Sequence, residues 1–311
     1  MGIPIPEPYF NMNQLAKAIE PYLPVELERK IFELAFNPDD PVTNGRMILV
    51  ARRTRSWLRP MIYRVFSLHS YRRFPKLAIC PDEVNIEEII GYAEHLIIDT
   101  AQHTTAEAAV LIEICPNIQN LAVWGSHKIS ELFDTISGLR HLRRLSGTFH
   151  TLTREQLMAP MFSSLTHFEL LFPRRDWPFD ALRSFTQLTH FIIYGEGKLS
   201  WDQMPFIISF CNSLQALIIC TSHRDLPEES LHVLDAEPRL VVFEYSMSNA
   251  DDWIRGAHGQ VDIWWYADKF VFARKKHYFR SNEYRKSTIS SDFNWLEHLT
   301  EEGKRWYLSL V

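Results

Sequence analysis

Between Tyr92 and Ser246 one phrase recurs: an apolar pair, a polar residue, another apolar residue, then a polar break. Its clearest copies are Phe162-Ser-Ser-Leu-Thr-His-Phe-Glu-Leu and Phe185-Thr-Gln-Leu-Thr-His-Phe-Ile-Ile. Aligning one core position gives Leu96, Leu121, Leu145, Phe168, Phe191, Leu217 and Phe243, spaced at about 23–26 residues. Between these strand-like phrases lie helix-start signals: Thr104 with Glu107, Thr153 with Gln156, Ser200 with Gln203, and Asp225 with Glu228. In each, a side-chain acceptor sits three residues before an acid or amide, the spacing of a capping box, and an apolar run follows. The repeating unit is therefore strand, turn, helix.

The flanks have a different period. Residues 11–66 read as compact helices. Near the C-terminus Ile263, Tyr266, Ala267, Phe270 and Val271 recur at helical spacing, closed by the basic end Arg274-Lys-Lys. Residues 281–290 read as a polar linker and Asp292 to Leu310 as a last amphipathic helix.

A unit of this length cannot bury its own apolar face, but stacked neighbours share a core. Together with a period of roughly 20–29 residues, this predicts a leucine-rich-repeat-like solenoid. The expected fold class is α/β: parallel strands on a concave face, helices outside, a short three-helix module in front and a helical cap behind. The expected divisions are an N-terminal extension at 1–19, the helical module at 20–66, the solenoid at 67–250 and the cap and tail at 251–311. A solenoid offers a surface for gripping a partner. Strand side chains alternate, so residues beside the core positions face the concave side, ending in a last row of Val242, Glu244 and Ser246. Within these rows Trp124, Arg144, His167, Glu169, His190 and Tyr194 are the candidate contacts for a protein substrate, Trp, Tyr and Arg being the residue types enriched at interface hot spots. His95, His167 and His190 share one repeat position, but no metal-ligand spacing accompanies them and repeat duplication explains the register.

The N-terminal module carries a second pattern. Pro24 suits a helix start, and Leu27, Ile31, Leu34 and Ala35 make one apolar stripe. Pro38-Asp-Asp-Pro41 ends that helix; Met47, Val50, Ala51, Thr54 and Leu58 make a second stripe, and Pro60 is expected to open a third short helix. The run Leu23-Pro-x-Glu-Leu, then Ile31-Phe32, then Ile48-Leu-Val-Ala-Arg-Arg-Thr-Arg-Ser-Trp57-Leu58, closed by Arg59-Pro-Met-Ile-Tyr63-Arg-Val-Phe, resembles an F-box. Its ending, the degenerate repeats and Asp251-Asp-Trp-Ile-Arg-Gly-Ala-His-Gly are similar to a fungal group of F-box proteins. The resemblance implies a substrate-recognition subunit of a cullin–RING ubiquitin ligase. Its F-box would bind the Skp adaptor through Leu23, Pro24, Glu26, Leu27, Ile31, Phe32, Trp57, Leu58 and Tyr63, and its repeats would hold an unidentified protein substrate. The alternative is a repeat scaffold without a ubiquitin role.

Bulk properties narrow this further. Apolar residues at 46% and charged residues at 23% fit an ordinary globular chain. The net charge of −5 argues against nucleic acid as the partner, although Arg46, Arg52, Arg53, Arg55, Arg59 and Arg64 form a locally basic run suited to an acidic partner. Cys80, Cys115, Cys211 and Cys220 are scattered and read as buried thiols, with a Cys211–Cys220 disulfide as the alternative. No signal peptide, lipidation motif or long apolar span is legible, so a cytoplasmic or nuclear protein without membrane contact is expected. Phosphate-cradling and nucleophile motifs are absent, and no enzyme activity, metal or cofactor is expected.

Overall fold

The computed structural model describes residues 23–69, 72–74, 89–99, 101, 103–125, 129–195, 201–221, 228–244, 249–281, 283–285 and 293–310. The capping boxes expected at Ser200 and Asp225, the fourth cysteine Cys80 and the 1–19 extension lie outside them. The chain forms two compact units, Met1–Met61 and Ile62–Val311.

In the first unit, α1 (Val25–Ala35) follows Pro24, whose carbonyl accepts from the Leu27 and Glu28 N–H groups at 3.0 Å each. Helix α2 (Pro41–Val50) begins where sequence chemistry places it: Asp40 Oδ1 accepts from the Thr43 N–H at 2.9 Å, and Pro41 needs no donor in the first turn. The next break differs from expectation. It falls at Ala51, which is extended (φ −156°, ψ 157°), and α3 (Arg52–Ile62) runs through Pro60. Thr54 explains the break, since its hydroxyl accepts from the Ala51 N–H at 3.1 Å and starts a new helix there. Met47, Thr54 and Leu58 are buried, whereas α1 buries no residue at all.

The second unit is built on a nine-stranded sheet. Its strands are β1 (Val65–His69), β2 (Arg72–Phe74), β3 (His95–Asp99), β4 (Asn120–Trp124), β5 (Arg144–Gly147), β6 (His167–Leu171), β7 (His190–Tyr194), β8 (Ala216–Thr221) and β9 (Leu240–Glu244). The spatial order is β2-β1-β3-β4-β5-β6-β7-β8-β9; only β1–β2 is antiparallel, so eight strands run parallel. Among the described residues, each crossover between β3 and β9 carries one or two short helices, as the repeating unit requires. Both described capping boxes form, at Thr104–Glu107 ahead of α4 (Thr105–Glu113) and at Thr153–Gln156 ahead of α5 (Arg154–Leu157).

One row of the sheet reads Phe66, Leu96, Leu121, Leu145, Phe168, Phe191, Leu217, Leu240. Six of the seven aligned positions hold. The seventh is corrected from Phe243 to Leu240, and the shift is odd, so it exchanges the faces of the last strand. Val242 joins the core of the repeats, while Val241 and Phe243 face the other way. An extra repeat also precedes the first, because Phe66 pairs with Leu96.

The face bearing this row packs on the crossover helices in one continuous core. Phenylalanine replaces leucine where rings stack: Phe168 lies 5.6 Å from Phe191 with planes 7° apart, and Phe162 lies 4.8 Å from Phe185. Cys115, Cys211 and Cys220 are free buried thiols, so the disulfide alternative is set aside.

The opposite face is the main departure from expectation. The described residues of 251–311 reach well beyond the end of the repeats. Helices α6 (Asn249–Ala257) and α7 (Ile263–Lys275) lie across the second face of the sheet. The periodic stripe of α7 points inward, with Ala267, Phe270 and Val271 buried on Ile192, Tyr194, Ile218, Cys220, Val241 and Phe243. The expected last helix is two, α8 (Trp295–His298) and α9 (Glu301–Leu308), parted where Leu299 bridges Phe279 and the Thr300 hydroxyl accepts from the Gly303 N–H. The unit is a sheet covered on both sides.

Candidate functional site

All six residues expected on the concave face lie on one side of the sheet, and all six meet the C-terminal layer or each other. They form two linked groups. In the first, the Trp124 indole N–H donates to Ser146 Oγ at 2.8 Å, and the Ser146 and Tyr194 hydroxyls hydrogen-bond the Glu169 carboxyl. In the second, the His167 and His190 rings stack at 4.6 Å with planes 5° apart. Equivalent threonines fix both rings, Thr166 and Thr189 each lying 2.9 Å from the following histidine's Nδ1. The edge of Trp264 meets both rings, at 4.8 Å and 5.8 Å, and His190 Nε2 lies 2.9 Å from Asp268 Oδ1. Arg144 stands between the groups, 3.7 Å from Asp262.

The tail therefore occupies the face on which a substrate was expected. Glu169, His190 and Tyr194 are buried, while Trp124, Arg144 and His167, which packs against Trp264, keep partial exposure. The expectation of an open face is corrected, and the physical reason is composition. Ile97, Ala122, Leu171, Ile192, Ala216, Ile218 and Cys220 line the same face, and so much apolar surface demands a cover.

Electrostatics follow burial. Desolvation pushes the Glu169 carboxyl up to about 7, with Asp252 and Asp262 adding to the rise and the Ser146 and Tyr194 hydrogen bonds opposing it. Burial likewise raises Asp252 and Asp262. Burial and nearby cations bring His95 down to about 3, with Arg64 and then Arg144 as the cations, and His167 down to about 2, with Arg144 as the cation. The stabilising effect of a neutral Glu169 is complete below its ordinary value of 4.5 and is lost as pH rises through 7. The two histidines act oppositely: their contribution is present above 6.5 and fades as pH falls. Glu169→Gln keeps the hydrogen-bond acceptor and removes the charge. Its melting temperature should exceed that of the wild-type protein at pH 8, where the linkage amounts to on the order of 3 kcal/mol, and the gap should narrow by pH 5. Thermal melts across that range check it; a gap independent of pH would contradict it.

The histidine register acquires no metal-binding company, since no group of three potential ligands converges among the described residues. No helix among the described residues is long and apolar enough to cross a membrane.

The residues expected to meet an adaptor divide cleanly. Leu23 (42%), Leu27 (50%) and Ile31 (53%) are exposed, as are Pro24 and Glu26. Phe32 and Trp57 are half-buried, their rings 6.4 Å apart. Leu58 is fully buried and serves the core of its unit, and Tyr63 is buried within the second unit. Outside the expected adaptor set, Val25, Leu34, Val42, Leu49 and Val50 are further exposed apolar positions on the same unit. The basic run is partly paired, Arg53 with Glu28 at 2.8 Å and Arg64 with Glu94 at 2.7 Å.

What these elements define is an α/β protein with a parallel sheet that gains one strand per repeated unit, preceded by a small helical unit. Compared with known proteins, the chain matches no protein-family model and no curated protein sequence.

Proposed function

We propose that this chain is the substrate-recognition subunit of a cullin–RING ubiquitin ligase, with the N-terminal helical unit as an F-box for the Skp adaptor and the repeat unit as the half that holds a protein substrate. The observation that carries this reading is the unspent apolar surface of the first unit. Leu23, Val25, Leu27, Ile31 and Leu34 lie along or just before one helix that buries none of its residues. Leu27, Ile31 and Leu34 recur at helical spacing and so share one exposed side of that helix; on so small a unit this is the mark of a docking surface, and it begins in the Leu-Pro-x-Glu-Leu run that resembles an F-box. Docking would also stabilise a module whose buried residues, among those described, are only Asn44, Met47, Thr54 and Leu58. The polypeptide performs no chemistry in this reading; it holds substrate near the ubiquitin donor and so raises its effective concentration.

The test is complex formation with a purified Skp adaptor by size exclusion, wild type beside Leu27→Asp/Ile31→Asp. Both positions are exposed, so the substitutions leave the core untouched. Stoichiometric binding by the wild-type chain, weakened at least 100-fold in the variant, is the expected result. A folded wild-type chain that does not bind would leave the repeat-scaffold reading in its place.

A further inference from the structure

The C-terminal cover is not uniform along the sheet. Over β6 to β9 it is dry: Leu171, Ile192, Ile218, Val241 and Phe243 meet Ala267, Phe270, Val271, Phe279 and Trp295 in one apolar cluster. Over β1, β3 and β4 it is a single nine-residue helix, α6, which buries only Trp253 and Ala257 on Val65, Ile97 and Ala122. This second contact is poorly satisfied. The Trp253 indole N–H and both His95 ring nitrogens are buried and find no hydrogen-bond partner among the described residues, although the two rings meet edge to face at 6.5 Å. A buried polar group left unmatched is costly, and a nine-residue helix has little stability of its own.

The polar fastenings of α6 are to the start of α7. Asp252 Oδ2 accepts from the Ile263 N–H at 3.0 Å, and Gly256 lies so close to Asp262 that an added Cβ would sit 2.2 Å from its Oδ2. Against the sheet, α6 offers one aromatic ring. Beside that ring stands Asp252, which pairs with Arg255 of the same helix at 2.8 Å and lies close enough to Asp262, the partner of Arg144, to raise its carboxyl. A ring in an apolar floor with acids beside an arginine is the pattern of a peptide anchor.

We propose that the floor formed by Val65, Ile97 and Ala122, edged by His95 and Arg144, is a docking site for a protein segment carrying an acidic residue next to an aromatic one, and that α6 fills this site in the resting chain. The inference rests on the reading of the repeat unit as the partner-binding half. It narrows the substrate class to helical segments of acidic–aromatic character and makes the tail their intramolecular competitor. Because α6 is tethered, it competes at an effective concentration in the millimolar range, so a free segment binds detectably only when the tethered copy is weakened.

The test uses the full-length chain. Hydrogen exchange on the wild-type protein should show α6 amides exchanging at least 100-fold faster than those of α7; equal protection would overturn the proposal. A fluorescent peptide with the sequence of residues 249–258 is then titrated against wild type and Trp253→Ala. The variant should bind it at least 10-fold more tightly, with binding lost when the peptide's own tryptophan is replaced by alanine. A variant that keeps α7 protected yet binds no peptide overturns the proposal, and if the variant loses α7 protection, the exchange comparison on the wild-type chain decides. Adaptor binding is measured alongside. Adaptor binding without peptide binding removes only this inference, and peptide binding without adaptor binding removes the ligase reading and leaves the docking site.

Discussion

A chain ending at residue 248 should fail to fold cooperatively, recovered as aggregate or as an expanded species without a sharp thermal transition. The sheet face left bare would hold Leu171, Ile192, Tyr194, Ala216, Ile218, Cys220, Val241 and Phe243, none more than 8% exposed in the intact chain. At about 1.5–3 kcal/mol for each large apolar side chain, the lost burial exceeds roughly 10 kcal/mol. That is the whole stability of an ordinary domain, about 5–15 kcal/mol. The truncation also strands polar groups. The buried Arg274 guanidinium donates to the carbonyls of Leu240, at 2.6 Å, and Leu234, fastening α7 to the last repeat. A solenoid with a merely capped end would lose its terminal repeat and keep the rest; here most of the second half of the sheet loses its cover. Circular dichroism melts with size exclusion distinguish the two. A soluble, cooperatively melting truncated chain would show that the tail is an appendage.

That outcome bears on how far the amino-acid sequence could be read. Repeat period and strand–helix alternation were legible because each unit carries the same polar break, and six of the seven core positions stand in register. Phe243 was misassigned because Leu240-Val-Val-Phe is apolar without interruption, so alternation, the only cue to which face a side chain takes, is missing there. The first repeat went unseen because Val65-Phe-Ser-Leu directly follows the F-box-like run and was read as its ending. The cover on the second face had a signal that was not used. Phe191-Ile-Ile-Tyr and Ala216-Leu-Ile-Ile-Cys are apolar on both faces, the mark of strands buried on both sides. The amphipathic stripe of α7 said that the helix must bury one face and carried nothing about where. The stripe of the first helix was legible as a stripe but not as a surface: its spacing fits burial within the three-helix unit equally well, and Leu27 and Ile31 are exposed.

Four residues apart, Phe168→Ala and Phe172→Gly should move stability in opposite directions. Phe168 is fully buried at the centre of a ring cluster, 5.1 Å from Phe149, 5.4 Å from Phe185 and 5.6 Å from Phe191, and it pairs in register with Leu145 and Phe191. Truncating it removes the transfer energy of the ring and leaves a cavity bounded by strands that cannot collapse without breaking the ladder. The expected cost is about 3–5 kcal/mol. Phe172, just past the end of the same strand, is 55% exposed and has φ 48°, a left-handed conformation that a bulky side chain resists. Its N–H still donates to Tyr194 O at 2.8 Å, so the backbone is held in that conformation by the sheet. Glycine adopts it freely, and relief of strain outweighs the little packing lost, for a gain of roughly 1 kcal/mol. Denaturant titrations of the two variants beside wild type check both signs at once. Loss in both would mean that the exposed ring packs against the unit, and loss in neither would mean that the ring cluster is not the core of the repeats.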